Sequence, residues 1–240
     1  MKKILAAVLI LSMVVVSTAF AYEAMDVKGG GAIKGKIKAS MKPDDPMLTI
    51  DKDTEICGKS QAAMMYILSP NLEVKNALVI VEDVKKGKAA PKSDITIDNK
   101  SCKFEPIVGI GYKGGNFVIK NSDPMLHNTN LGILLQDKRR AVYNLALPKK
   151  DQVITKPIKA IGLHAVKCDA HSWMRAYIYV SEHPYVAVTD ASGNFEIKDL
   201  PPGKYKVKVW HEGFTELTKD VEVPSDKTAE LNVTLSKTKK

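Results

Sequence analysis

Helical periodicity is almost missing from this 240-residue chain. Beyond a stretch from Gln61 to Leu68 that reads as a short helix, no window repeats apolar residues every three or four positions. Several chemical signatures are missing too. There is no C-x-x-C-H pair to attach a c-type haem, no nucleophile elbow, no G-x-x-x-x-G-K-[ST] phosphate loop and no H-E-x-x-H pair. With no activated nucleophile in view, the chain is not expected to be an enzyme. Aromatic residues make up 6% of it and offer no sugar-stacking surface, which argues against an adhesion or carbohydrate-binding module. Cysteine is scarce, with three residues in all, an odd number that leaves one thiol over once a pair has formed.

Long apolar runs are confined to the N-terminus. Lys2-Lys3, an apolar run from Ile4 to Val16 and small residues at Ala19 and Ala21 have the form of a secretory leader, so residues 1–21 are expected to be removed. The run is short for a membrane span, which needs about 20 apolar residues. No later stretch is apolar enough to span, so the mature chain is expected to be soluble, in the periplasm or secreted. Its formal charge of +9 drops by the two leader lysines to +7. Basic clusters lie at Lys85-Lys86-Gly87-Lys88, Lys138-Arg139-Arg140 and Lys237 to Lys240. An exported protein meets no genome, so no nucleic-acid partner is expected. The charge suits either steering toward an acidic partner or plain solvation.

What is present is a succession of short β-branched or aromatic runs cut by Gly, Pro, Asn and Asp, the pattern of an all-β fold. The clearest expected strands are 32–39, 77–84, 104–111, 116–121, 161–167 and 175–180, followed by 186–189, 195–197, 204–210 and 229–235. Asp190-Ala191-Ser192-Gly193 reads as a hairpin turn. Pro201-Pro202-Gly203 reads as a turn whose glycine supplies positive φ.

The densest chemistry lies in Cys168-Asp169-Ala170-His171-Ser172-Trp173-Met174, a C-x2-H-x2-M loop, with a lone His127 upstream in Asp123-Pro124-Met125-Leu126-His127-Asn128. One thiolate, two imidazoles and one thioether form the donor set of a type 1 copper centre: soft sulfur and borderline nitrogen serve both Cu(I) and Cu(II), and a long axial thioether tunes the potential. The expected metal ligands are therefore His127, Cys168, His171 and Met174, around a single copper ion. Cysteine parity agrees. A Cys57–Cys102 disulfide would close a loop of roughly 45 residues, worth about 4 kcal/mol in the chain-entropy model, and would leave Cys168 free. Trp173 is expected to shield the site from water. His164, four residues before Cys168, shares its strand face if the strand runs that far and is expected either to support a ligand or to replace one.

Residues 101–181, with this loop and with Cys102-Lys103-Phe104-Glu105-Pro106, resemble the cupredoxin family, and the loop spacing is similar to that of amicyanin. The resemblance implies a Greek-key β-sandwich and makes Asn128, beside the first histidine, a group that pins the ligand loop. Residues 182–236 resemble the carboxypeptidase regulatory-like, transthyretin-type β-sandwich through Thr189 to Phe195, Leu200-Pro201-Pro202-Gly203-Lys204-Tyr205 and His211-Glu212-Gly213-Phe214. The opening strands of that family match Gly31 to Ile37 and Ala77 to Val81. Residues 31–85 of an N-terminal segment, 22–100, therefore either begin this second module, with the copper domain inserted, or edge the copper domain. The whole is similar to exported proteins of the "methylamine utilization protein" type, through Cys168 to Met174 followed by His183-Pro184-Tyr185-Val186-Ala187-Val188-Thr189-Asp190. Ile107 and Ser172 stand where such relatives often carry histidine and proline.

His183 and His211 are expected to be hydrogen-bonded histidines at the domain junction. The function expected is single-electron transfer, through the solvent-facing edge of His171, with a periplasmic dehydrogenase or cytochrome. The alternative is copper delivery or storage.

Overall fold

The computed structural model describes residues 22–136 and 138–238, so the expected leader, residues 1–21, lies outside the described residues. The chain is all-β: a single turn of α-helix, Thr54–Cys57, is the only helix among the described residues. No described helix is long and apolar enough to cross a membrane.

Four sheets stack into two sandwiches. In the first sandwich, one sheet orders strands Val153–Pro157, Asn116–Asn121, Ile95–Lys100 and Lys103–Glu105. The facing sheet orders Lys138–Leu147, His127–Leu135, Gly162–Lys167, Arg175–Ser181 and Val108–Tyr112. Alternation along the strands decides what faces inward. Phe117 and Ile119 from one sheet meet Ala176, Ile178 and Val180 from the other, in a core that ends at Cys168 and Met174.

The second sandwich joins distant parts of the chain. Val186–Val188, Leu78–Val81, Gly203–Trp210 and Leu217–Val223 make one sheet. Gly31–Ala39 makes the other, between Asn194–Leu200 on one side and Thr228–Glu230 and Val233–Leu235 on the other. Gly35 permits this crowding, since a Cβ there would lie 1.8 Å from the Leu231 carbonyl oxygen. The first sandwich is thus an insertion between two neighbouring strands of the second, Leu78–Val81 and Val186–Val188.

Leu78–Val81 explains how the two pack. It is buried on both faces: Val79 and Val81 enter the core of the second sandwich, while Leu78 and Ile80 meet Val108, Tyr177 and Tyr179 of the first. Both sides being covered, its sequence is continuously apolar rather than alternating. A half-buried ion pair locks the same seam, with Arg175 Nε 2.7 Å from Glu212 Oε2, and Tyr177 meets Trp210 edge-on at 5.0 Å.

Several expectations need correction. The boundary at residue 101 falls too late, because Ile95–Lys100 pairs in parallel with Asn116–Asn121 inside the first sandwich. Residues 22–100 are therefore no single segment. Gln61 to Leu68 is not helical; it starts with the short strand Ser60–Ala62 and continues irregularly. In the Pro201-Pro202-Gly203 turn the positive φ falls on Asp199 (φ 55), at a register shift between Ile197 and Leu200, and not on Gly203. At the other turn Gly193 (φ 71) does take the left-handed conformation, and the Asp190 carboxylate accepts from the Ser192 and Asn194 amides.

Three buried histidines lie away from the ligand loop. His183 Nδ1 accepts from the Tyr185 amide at 3.3 Å, and His211 Nδ1 accepts from the Gly213 amide at 3.1 Å. His164 packs edge-on against Phe117. Burial pushes all three down in pKa, His211 to about 4. The folded chain holds a neutral His211, whereas the unfolded chain takes up a proton near pH 6.5. The stability tied to His211 is therefore whole above about pH 6.5 and is lost as pH falls toward 4, at most about 3 kcal/mol. The urea midpoint should drop across that window, and His211→Gln should flatten the drop; a variant profile as steep as the parent's would refute this.

Candidate metal centre

Strands Gly162–Lys167 and Arg175–Ser181 are antiparallel, with Lys167 opposite Arg175, so the seven residues between them must fold into a compact loop. That loop is closed by two backbone bonds, Met174 N–H to His171 O at 3.0 Å and Cys168 N–H to Met174 O at 3.4 Å. Strand His127–Leu135 lies alongside, with Asn130 opposite Lys167. His127, its first residue, leaves the same end of the sheet as Cys168.

Three donor atoms converge there. Cys168 Sγ lies 3.6 Å from His171 Nδ1 and 4.0 Å from His127 Nδ1, and the two nitrogens are 3.1 Å apart. A point equidistant from all three lies about 2.1 Å from each, close to the bond lengths of a d-block metal with imidazole and thiolate. Both histidines are fully buried, and Cys168 and Met174 are nearly so. Met174 packs in the same core cluster as Cys168. A second grouping, Cys102, Asp123 and His127, offers no thiolate, because Cys102 is joined to Cys57.

The far side of each ring is held by a carboxylate. His127 Nε2 lies 2.8 Å from Asp123 Oδ2, and His171 Nε2 lies 2.9 Å from Asp53 Oδ2. A carboxylate accepts from an N–H, so each ring is held as the Nε2–H tautomer with the Nδ1 lone pair facing the other donors. Burial pushes His127 down in pKa against the pull of Asp123, which keeps its ring neutral. Burial likewise pushes the Cys168 thiol up, so a metal must displace its proton.

The expected supporting residues divide. Asn128 pins the loop: its side-chain oxygen accepts from the Asp169 amide at 3.1 Å, its own amide points at Cys168 Sγ at 3.4 Å, and its side-chain nitrogen bonds Asn144. Trp173 lies against His171 with ring centroids 5.0 Å apart, and its indole N–H donates to the Cys102 carbonyl. His164 does not reach the cluster. It bonds the Gly162 carbonyl inside the strand, and four residues of strand set it about 13 Å from Cys168. The expected solvent-facing edge of His171 is also corrected, since that edge is buried under Asp53.

Asp53 and Asp123 are the site residues that sequence reasoning missed. Asp123 carried a local signal, four residues before His127. Asp53 is 118 residues from its partner, and no pattern in one sequence joins them.

Fold and site together define an all-β protein of two sandwiches, with a buried sulfur and nitrogen donor cluster at the end of the first. A carboxypeptidase regulatory-like domain model matches residues 174–236, starting in the ligand loop and running through the C-terminal strands of the second sandwich. No curated protein matches. Similar solved structures include a purple cupredoxin from Nitrosopumilus maritimus (20% identity, 37% of this chain and 100% of that one, TM-score 0.32) and the reduced Cu(I) form of an amicyanin mutant (19% identity, 43% and 98%, TM-score 0.32). A copper-containing nitrite reductase from Thermus scotoductus SA-01 also matches, at 17% identity over 40% of this chain and TM-score 0.32; the match spans only 24% of the reductase.

Removing the Asp123 charge loosens His127 without touching a donor atom. Asp123→Asn should weaken metal binding 10- to 100-fold, the usual cost of losing such a partner, as read by competition with a chromophoric chelator. An unchanged dissociation constant would show that Asp123 does not tune the ring.

Proposed function

We propose that this chain is a type 1 copper protein that carries single electrons between exported redox partners and is not itself an enzyme. The observation that carries the reading is the triangle of Cys168 Sγ, His127 Nδ1 and His171 Nδ1, buried, with Met174 packed in the same core cluster. His127, Cys168 and His171 would hold the ion, with the Met174 thioether as a further sulfur donor. Copper, when bound, supplies a one-electron couple.

The residues of the chain supply the rest. The Asn128 amide donates toward the sulfur, which tempers the charge of the thiolate. Asp123 and Asp53 fix ring orientation, so that little moves between oxidation states. Trp173, lying against the His171 ring, shields that ring from bulk water. The Cys57–Cys102 disulfide supports an oxidising compartment, in keeping with the leader, and a periplasmic dehydrogenase or cytochrome is the partner this reading calls for. Within it, the chain is one of the exported two-module proteins of "methylamine utilization protein" type.

A second reading, copper delivery or storage, is favoured by one observation. The ring edge through which a partner would draw an electron is covered by Asp53. Spectra separate the two. Electron transfer requires an intense visible thiolate-to-copper band in the Cu(II) form of the mature chain, bleached and restored by reduction and reoxidation, and absent in Cys168→Ser. A colourless protein that retains only Cu(I) would overturn electron transfer and leave delivery or storage.

A further inference from the structure

The carboxylate on His171 belongs to neither sandwich. It sits on a loop of residues 45–64 that leaves the second sandwich after strand Gly31–Ala39 and lies across the ligand end of the first. The loop is pinched shut at its base: the Asp45 carboxylate accepts from the Met64 and Met65 amides at 2.8 and 3.0 Å, and the Pro46 carbonyl accepts from Ala63 N–H at 2.9 Å. A small hairpin, Met47–Thr49 with Ser60–Ala62, and the helical turn Thr54–Cys57 fill it.

The loop has almost no core of its own. Among residues 44–63 only Ile50 is buried, and the helical turn buries nothing. What attaches it to the site is a short set of bonds. Cys57 is joined to Cys102; Gln61 Nε2 donates to the Cys102 carbonyl at 3.4 Å; Arg175 Nη2 donates to the Ala63 carbonyl at 3.1 Å; and Asp53 reaches His171. A cavity of about 30 Å³ remains in the seam, lined by Leu48, Gln61 and Met64 on one side and Trp173 and Met174 on the other, room for about one water. Few buried contacts of its own are what distinguish a part that can open at lower free energy than the core.

Asp53 itself is spent unusually. It occupies the N-cap of the helical turn, where aspartate normally accepts from the first turn's amides. Here it makes no such bond, and its backbone takes the left-handed conformation (φ 50, ψ 39) that aspartate adopts more readily than most residues. The carboxylate is turned out of the cap and onto His171 Nε2. The missing cap bond leaves the carboxylate available to a distant partner, and the His171 ring supplies it.

We propose that residues 45–64 form a disulfide-tethered cap over the metal centre, in which Asp53 is the positioning residue that holds His171 as the Nε2–H tautomer and seals its ring edge. The proposal rests on the metal reading above for its purpose, but the tautomer and the seal are properties of the protein alone. The cap makes access to the ring edge, by solvent, chelator or redox partner, conditional on its opening.

Long-range proton–nitrogen NMR of the metal-free mature chain reads the ring nitrogens directly. The parent should show His127 and His171 both as Nε2–H. Asp53→Ala should leave His127 unchanged and convert His171 to a mixture of tautomers, and Asp53→Asn, which keeps an acceptor oxygen, should restore most of the parent signal. In the copper-loaded protein, extraction by a chelator should quicken at least tenfold in Asp53→Ala and in the Cys57→Ser/Cys102→Ser double variant. A His171 signal and an extraction rate unchanged in Asp53→Ala would overturn the cap, whatever the double variant does. A parent that takes up no copper would overturn the metal reading instead, with the NMR comparison still deciding the cap.

Discussion

Three metal-seeking donor atoms are packed together inside the apolar end of a β-sandwich, and that burial sets the terms for everything around them. A buried polar group costs free energy unless it is paired. The converging Nδ1 and Sγ atoms meet one another and, at the sulfur, the Asn128 amide, so every other polar atom nearby must be satisfied from elsewhere. The surroundings meet this demand. The Asn121 side chain donates to the carbonyls of Met125, Leu147 and Lys149 and accepts from the Asp123 amide, which fixes the turn ahead of His127. Behind it, Asn99 bonds Thr129 and the Lys120 carbonyl. Each is a buried polar side chain whose partners lie within the ligand end of the sandwich. Such a network is worth most when complete, since one missing partner leaves a desolvated group.

The stack of four sheets supplies the rigidity this network needs. Strand Arg175–Ser181 carries the loop's exit, and its two faces point into different cores: Ala176, Ile178 and Val180 inward, Tyr177 and Tyr179 toward the second sandwich. Displacing the ligand loop would disturb both. Arg175, the first residue after Met174, binds Glu212 of the second sandwich and the Ala63 carbonyl of the loop that covers the site. The second module is thus bolted to the Cys168–Met174 loop rather than tethered beside it. A match of the regulatory-like domain model that begins at Met174 is consistent with a chain in which the two modules share this strand.

What a single sequence shows well is what lies close along the chain. The ligand loop was legible because seven consecutive residues carry three donors. The disulfide was legible from parity, and most inner strands from β-branched runs. Lys138–Leu147 escaped notice because it is an edge strand, exposed along much of its length, so lysine and arginine mask its alternation. Ile95–Lys100 ends in Asp-Asn-Lys, which reads as a turn, yet Asn99 is fully buried and bonded. Alternation puts His164 on the inward face it occupies but not near the cluster, because alternation gives the side of a strand and not the distance to a site. The insertion of one sandwich into the other rests on pairings between residues more than a hundred positions apart, such as Ile80 with Val186, and only the folded chain shows them.

Cys102 shows how these distant parts become one unit. Its amide donates to Asp123, which holds His127; its carbonyl accepts from Trp173, which lies on His171, and from Gln61 of the covering loop; its sulfur is bonded to Cys57, four residues beyond Asp53. One residue thus touches the supports of both imidazoles. Were the covering loop held only by Asp53, a single part-buried hydrogen bond from a neutral ring to a carboxylate, worth on the order of 1–3 kcal/mol net, would have to keep it closed. With the bond to Cys102, the loop cannot leave without pulling on the residue that aligns Asp123 and anchors Trp173. Closing the His171 edge and orienting the His127 ring are therefore coupled through covalent structure. A centre built this way keeps its donor geometry while its cover is shut and yields it only when cover and supports move together.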